Sequence, residues 1–128
     1  MRAEGIRNKR AYEPALPSDG TRILVDRLWP RGLTKAAAAI EIWAKELAPS
    51  EGLRRWFGHE GSRFLEFRRL YLDELARLES PLVDRIRELS DVGTVTLVYA
   101  ARDPEINHAL VLRDFLVGRA GPRPSREG

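Results

Sequence analysis

Two short runs of branched apolar residues, Arg22-Ile23-Leu24-Val25-Asp26 and Thr94-Val95-Thr96-Leu97-Val98-Tyr99-Ala100, constrain this chain more than any other feature. Each is bounded by turn residues and is too short and too rich in β-branched side chains to read as a helix. The second is almost continuously apolar, which suits a strand covered on both faces and therefore placed centrally. About seventy residues separate the two runs, and a crossover of that length predicts that they lie parallel.

Helical patterns fill the crossover. Residues 34–47 read as a loosely defined first helix, with the alanine run 36–39 favouring it and Pro49 stopping it. Ser50 is placed to cap a short second helix containing Leu53 and Trp56, and Ser62 to cap the third. In that third helix Phe64, Phe67, Tyr71, Leu75 and Leu78 share one face, while Arg63, Glu66, Arg69, Asp73 and Arg77 share another. Ser80 followed by Pro81 opens a fourth with Leu82, Ile86 and Leu89 as its apolar stripe. After the second run, Asp103 and Pro104 read as the cap and first residue of a last helix that carries Ala109, Leu112 and Phe115 or Leu116 inward and ends at Gly118. Residues 6–13 form a candidate first strand of open orientation, and Pro14 to Gly20 has turn composition.

Strand, helices, strand, helix is the order of an α/β layer. The expected fold is a small, mainly parallel central sheet of about three strands flanked by about five helices. At 128 residues and 43% hydrophobic content the chain has material for one core, so residues 1–118 are expected to form a single domain and 119–128 a disordered basic tail. Monomer and homodimer are both left open.

The formal net charge of +3 sits at the ends of the chain. Residues 1–10 hold four Lys/Arg against one acid, residues 119–128 three against one, and the interior 15 against 17. A nucleic-acid groove needs its cations on one folded surface, so this distribution disfavours one. The absence of Cys excludes disulfides, thiolate nucleophiles and thiolate metal sites. No apolar stretch approaches the roughly 20 residues of a membrane span, and no signal-peptide core follows the basic start, so a cytoplasmic protein with no membrane partner is expected.

Parallel strands place their carboxyl ends on one edge of the sheet, which is where open α/β sheets bind ligands. That rule brings the segment Asp26-Arg27-Leu28-Trp29-Pro30-Arg31-Gly32 toward the segment from Tyr99 to His108. Arg27, Arg31 and Arg102 then offer guanidinium forks to an anion, and residues 102–105, read as a helix start, offer backbone N–H groups. The alternative is that Arg27 and Arg102 merely pair with Asp26 and Asp103 to tie loops together. His108, with Asn107 beside it, is a candidate general base or acid with Asp26 as partner, set against the blander role of a structural histidine. His59 reaches the same place only if its loop folds over the sheet edge. Of the three tryptophans, Trp29 is the ligand-facing candidate, while Trp43 and Trp56 read as core. The two histidines lack metal-ligand spacing such as HExxH, and no GxGxxG, GxxxxGK[ST] or GxSxG occurs, so neither a metal nor a cofactor is expected.

Read together, Leu24-Val25-Asp26-Arg27-Leu28-Trp29-Pro30-Arg31-Gly32, Leu47-Ala48-Pro49-Ser50, Trp56-Phe57-Gly58-His59, Leu97-Val98-Tyr99-Ala100-Ala101-Arg102-Asp103 and Asn107-His108-Ala109 closely resemble the YeaO-like proteins, a branch of a larger domain-of-unknown-function family. The resemblance covers about residues 5–117 and rests on several motifs in order. It implies an α/β fold with a signature at both strand ends, and it supplies no activity. Relatives in the wider family carry Cys in the segment matching Tyr99 to His108; this chain has none there, so no thiolate mechanism carries over.

The resulting expectation is a pocket for a small anionic, phosphate- or carboxylate-bearing ligand, with Arg27, Trp29, Arg31, Tyr99, Arg102, Asn107 and His59 as binding residues. Hydrolysis or group transfer there would fall to Asp26 and His108. The rival is a non-enzymatic protein- or nucleic-acid-interaction module that uses the Trp and Arg residues and the basic ends.

Overall fold

The computed structural model describes residues 5–118, so residues 1–4 and the tail 119–128, expected to be disordered, lie outside it. Four parallel strands form one sheet: β1 (Ile6–Arg10), β2 (Thr21–Leu24), β3 (Ile42–Trp43) and β4 (Val95–Tyr99), in the order β1-β4-β2-β3. The sheet therefore has four strands where about three were expected. The strand at residues 6–13 is real but ends at Arg10, and its open orientation resolves as parallel, with Ile6 opposite Val95 and Arg10 opposite Tyr99. On the other side of β4, Thr21 pairs with Val95 and Leu24 with Val98. Every residue of β4 is buried, as its apolar sequence requires.

The pleat sends alternate residues to two different layers. Ile6, Ile23, Val25, Val95, Leu97 and Tyr99 face the larger core, which is closed by Phe57, Phe67, Tyr71, Ile86 and Leu112 from the helices. Leu24 and Val98 point the other way, with Ala11, into a thinner layer made by Trp29, Leu33, Ile40 and Trp43. The helices are α1 (Lys35–Ala38), α2 (Glu51–Phe57), α3 (Phe64–Arg77), α4 (Pro81–Val92) and α5 (His108–Leu116).

Three helix expectations are corrected. The helix read over residues 34–47 is one turn, capped by Thr34 accepting from the Ala37 N–H and stopped by Ala39 in the left-handed region at φ 50°. Beyond it the chain joins the sheet as β3, with the Glu41 N–H donating to Arg22 O and the Ala44 N–H to Leu24 O. An edge strand with unpaired backbone groups outcompetes the small propensity gain of four alanines. The third helix is entered through a 3₁₀ turn, Gly61–Arg63, with no side-chain cap from Ser62. The last helix starts at His108 with Asn107 as its cap, and Asp103 accepts locally from the Glu105 N–H instead. Ser50 and Ser80 do cap α2 and α4. Trp56, read as core, is 40% exposed with the Arg63 guanidinium over its ring.

The amino end of the sheet carries a buried charge cluster. Asp19, fully buried in a 3₁₀ turn, accepts from Lys9 Nζ at 3.1 Å, Arg22 Nη1 at 2.7 Å and the Leu16 N–H at 3.0 Å. Burial pushes its carboxyl up, but the Leu16 amide with Lys9 and Arg22 outweighs that and leaves it below the usual carboxylate value. Gly20 next door has φ +66°, and a Cβ there would lie 2.1 Å from Thr94 O, so only glycine allows β2 to enter the sheet beside β4. No helix among the described residues is long and apolar enough to cross a membrane.

Candidate functional site

At the opposite, carboxyl edge the two strand-end segments meet. Asp26 follows β2 and accepts, through Oδ2, the N–H of Ala100 just past β4 at 3.0 Å, a contact across 74 residues of sequence. His108, the first residue of α5, sets Nε2 3.0 Å from Val25 O and 3.2 Å from Asp26 Oδ1. A carbonyl oxygen can only accept, so a proton belongs on Nε2, which leaves Nδ1 as the ring nitrogen not used in the staple. Asp26 and His108 thus staple together the end of β2, the end of β4 and the start of α5.

A cavity of about 410 Å³ opens over this staple. Asp26, Arg27, Trp29, Arg31, His59, Asn107 and His108 all lie on its wall. Arg27 donates from Nη2 to Pro49 O at 2.9 Å, while its Nε is buried without a hydrogen-bond partner. It does not pair with Asp26 as the loop-tie alternative had it, although its bond to Pro49 O does tie two loops together. Trp29 donates from Nε1 to Leu33 O at 2.6 Å and packs edge-on against Trp43, ring centres 5.5 Å apart. Trp43 in turn donates to Asp26 O at 2.8 Å, which fixes the strap from its outer side. Arg31 is exposed, and its carbonyl accepts from the Tyr12 hydroxyl at 2.9 Å.

His59 reaches the cavity because the loop after α2 turns sharply. Gly58 and His59 are both left-handed, at φ 53° and 60°, and the imidazole comes to rest 6.0 Å from the Phe57 ring. Asn107 is on the wall, and its polar atoms are engaged within the protein: Oδ1 accepts the Leu110 N–H, Nδ2 donates to Asp103 O, and the side chain also bonds Tyr99. Its visible role is to cap α5.

Tyr99 and Arg102 are placed elsewhere. Tyr99 is 3% exposed in the larger core, and burial, with the charge of Glu13 behind it, raises its phenol above the ordinary value. Arg102 is exposed and does not line the cavity; with the helix opening six residues later, the N–H groups expected at residues 102–105 are not a helix terminus. Two polar wall residues escaped the sequence reading. Arg54 lies three residues before Phe57 on α2, a helical spacing that aims both at one side, and this was the available signal. Tyr12 comes into range only because β1 runs parallel, which its sequence left open. Phe57 and Phe67 supply an apolar floor. Among the described residues, no three of His, Asp and Glu gather closely enough to hold a metal ion.

Fold and cavity together define a small parallel α/β domain with a basic, aromatic-walled hollow at the carboxyl edge of its sheet. The family model matching residues 5–123 is described as the inactive DUF488-N3 subclade, DUF488-N3i. The uncharacterised protein YeaO of Escherichia coli K12 is 47% identical over 111 residues, covering 87% of this chain and 96% of its own. The uncharacterised protein Rv3073c of Mycobacterium tuberculosis H37Rv is 41% identical over 119 residues, covering 93% and 99%. The chain belongs to the YeaO-like branch of the DUF488 family. No solved structure matches it at a significant level.

Proposed function

We propose that this protein binds a small anionic molecule in the cavity at the carboxyl edge of the sheet. The observation that carries the reading is the charge of the wall: Arg27, Arg31 and Arg54 against Asp26 alone leave a formal +2 with both histidines neutral. The volume falls in the range of roughly 300–1,000 Å³ typical of small-molecule sites. Arg27 is the anchor, because the Pro49 carbonyl holds its half-buried guanidinium on the wall, so a carboxylate or phosphate oxygen meets a cation that is already oriented. Arg31 and Arg54 complete the field from the rim.

Asp26 and His108 serve this site first as its frame. The description of the subclade as inactive favours binding over turnover. If hydrolysis or group transfer does occur, the proton moves through His108 Nδ1, since Nε2 is committed to Val25 O and Asp26.

Thermal unfolding against a panel of phosphorylated and carboxylated metabolites tests the reading. A ligand at about a hundred times its dissociation constant adds roughly 2.7 kcal/mol, a rise of a few degrees in the midpoint. The shift should vanish in Arg27→Gln and in the rim pair Arg31→Gln/Arg54→Gln, and persist in Arg102→Ala, whose side chain is off the cavity. No shift with any anion in the wild type would reject the proposal.

A further inference from the structure

The wall that carries the charge is also mostly apolar, and this points to a narrower ligand class. We infer that the preferred ligand is a phosphate monoester joined to a flat ring, an inference that rests on the anion-binding reading above.

Two features lead there. The first is charge. A formal +2 on the wall matches a phosphate monoester, which carries about −1.5 to −2 at pH 7, better than a monocarboxylate. Arg27 is half-buried and held by Pro49 O while Arg31 and Arg54 are exposed, so the anion has one fixed contact and a diffuse second one. The second is the apolar share. Nine of the 17 wall residues are Leu, Trp, Pro, Ala or Phe, far more apolar wall than a bare oxyanion needs. An inorganic phosphate would occupy the Arg27 end and leave the rest of the hollow wetted against hydrocarbon.

Three of those nine are aromatic. Trp29 is held by its own hydrogen bond to Leu33 O and by the Trp43 ring, and Phe57 is stacked on Phe67 at 4.3 Å between ring centres. Trp29, and the small part of Phe57 and Phe67 that reaches the cavity at 5% and 1% exposure, are fixed before any ligand arrives, so a flat π-system meets them without further ordering of side chains. Guanidinium planes stack on such rings as well, which an alkyl chain does not exploit. Leu28, 68% exposed at the mouth, gives the outer end of a ring a surface to cover.

Calorimetric titration of the full chain with phenyl phosphate, butyl phosphate, benzoate, inorganic phosphate and citrate separates these claims. Phenyl phosphate should bind at least about tenfold tighter than each of the others. In the rim pair Arg31→Gln/Arg54→Gln, both at exposed positions, phenyl phosphate should lose more affinity than benzoate. Butyl phosphate binding as well as phenyl phosphate would overturn the ring; benzoate binding as well, or losing as much in the rim pair, would overturn the dianion. Inorganic phosphate or citrate equal to phenyl phosphate would overturn the inference while leaving the anion site standing. If none of the five binds, the anion-binding reading fails, and this inference with it.

Discussion

The two ends of the sheet treat charge in opposite ways. At the amino end Asp19 is sealed among Lys9, Arg22 and the Leu16 amide, and Gly20 beside it leaves no room even for a methyl group. At the carboxyl end three arginines face one aspartate across a hollow, and Arg27 keeps a buried donor unused. A buried charge is tolerable only with its partners in place. At the amino end the Asp19 carboxylate has its partners in place, although Arg22 Nη2 is buried without one; at the carboxyl end the surplus of cations is what the proposed anion would meet. Changes at the amino end should cost stability, and changes at the cavity rim should cost binding alone.

The sharpest way to break that contrast is Gly20→Ala, which should destabilise by on the order of 4 kcal/mol, since the added Cβ meets Thr94 O and the backbone is left-handed. Denaturant unfolding measures it, and a loss under about 1 kcal/mol would mean β2 can shift freely. Asp19→Ala comes next at roughly 3 kcal/mol, because it strands Lys9 and Arg22. Smaller still is Tyr71→Phe at about 1–3 kcal/mol, the cost of leaving Leu47 O without its donor. At the other end, Arg31→Gln and Arg54→Gln should each stay within about 0.5 kcal/mol of wild type while weakening ligand binding.

The pH dependence sharpens the same contrast. Asp19 is lowered in the folded chain, so its contribution is present above the ordinary carboxylate value near 3.8 and lost as the pH falls below it. Tyr71 is raised well above 10.0 by burial, then by the charges of Glu74 and Asp26. Its contribution is whole below about 10 and lost as the pH rises beyond, while the unfolded chain ionises. Stability measured across pH should therefore fall at both extremes, and Tyr71→Phe should flatten the alkaline limb. An unchanged alkaline limb in that variant would remove Tyr71 from the account.

Much of this was legible in the sequence because it rested on long-period regularities. The two apolar runs became β2 and β4, and their parallel direction brought residues 26–31 against His108 as the carboxyl-edge rule requires. What escaped depends on local competition or on contacts between distant residues. Asp103-Pro104 has the composition of a helix start, yet Asn107 won the cap, with its side chain bonded to both Leu110 N–H and Asp103 O. A two-residue strand such as Ile42–Trp43 is below the length at which any periodicity shows. The Lys9–Asp19–Arg22 cluster and the approach of Tyr12 both hang on the direction of β1, on which its five residues are silent.

Amide chemical-shift mapping by NMR during titration with phenyl phosphate tests the central claim most directly. The account predicts perturbations converging on residues 26–31, 54–59 and 100–108, with the amides around Asp19 and Gly20 unmoved. Perturbations centred on the amino end, or none at saturating concentration, would contradict it.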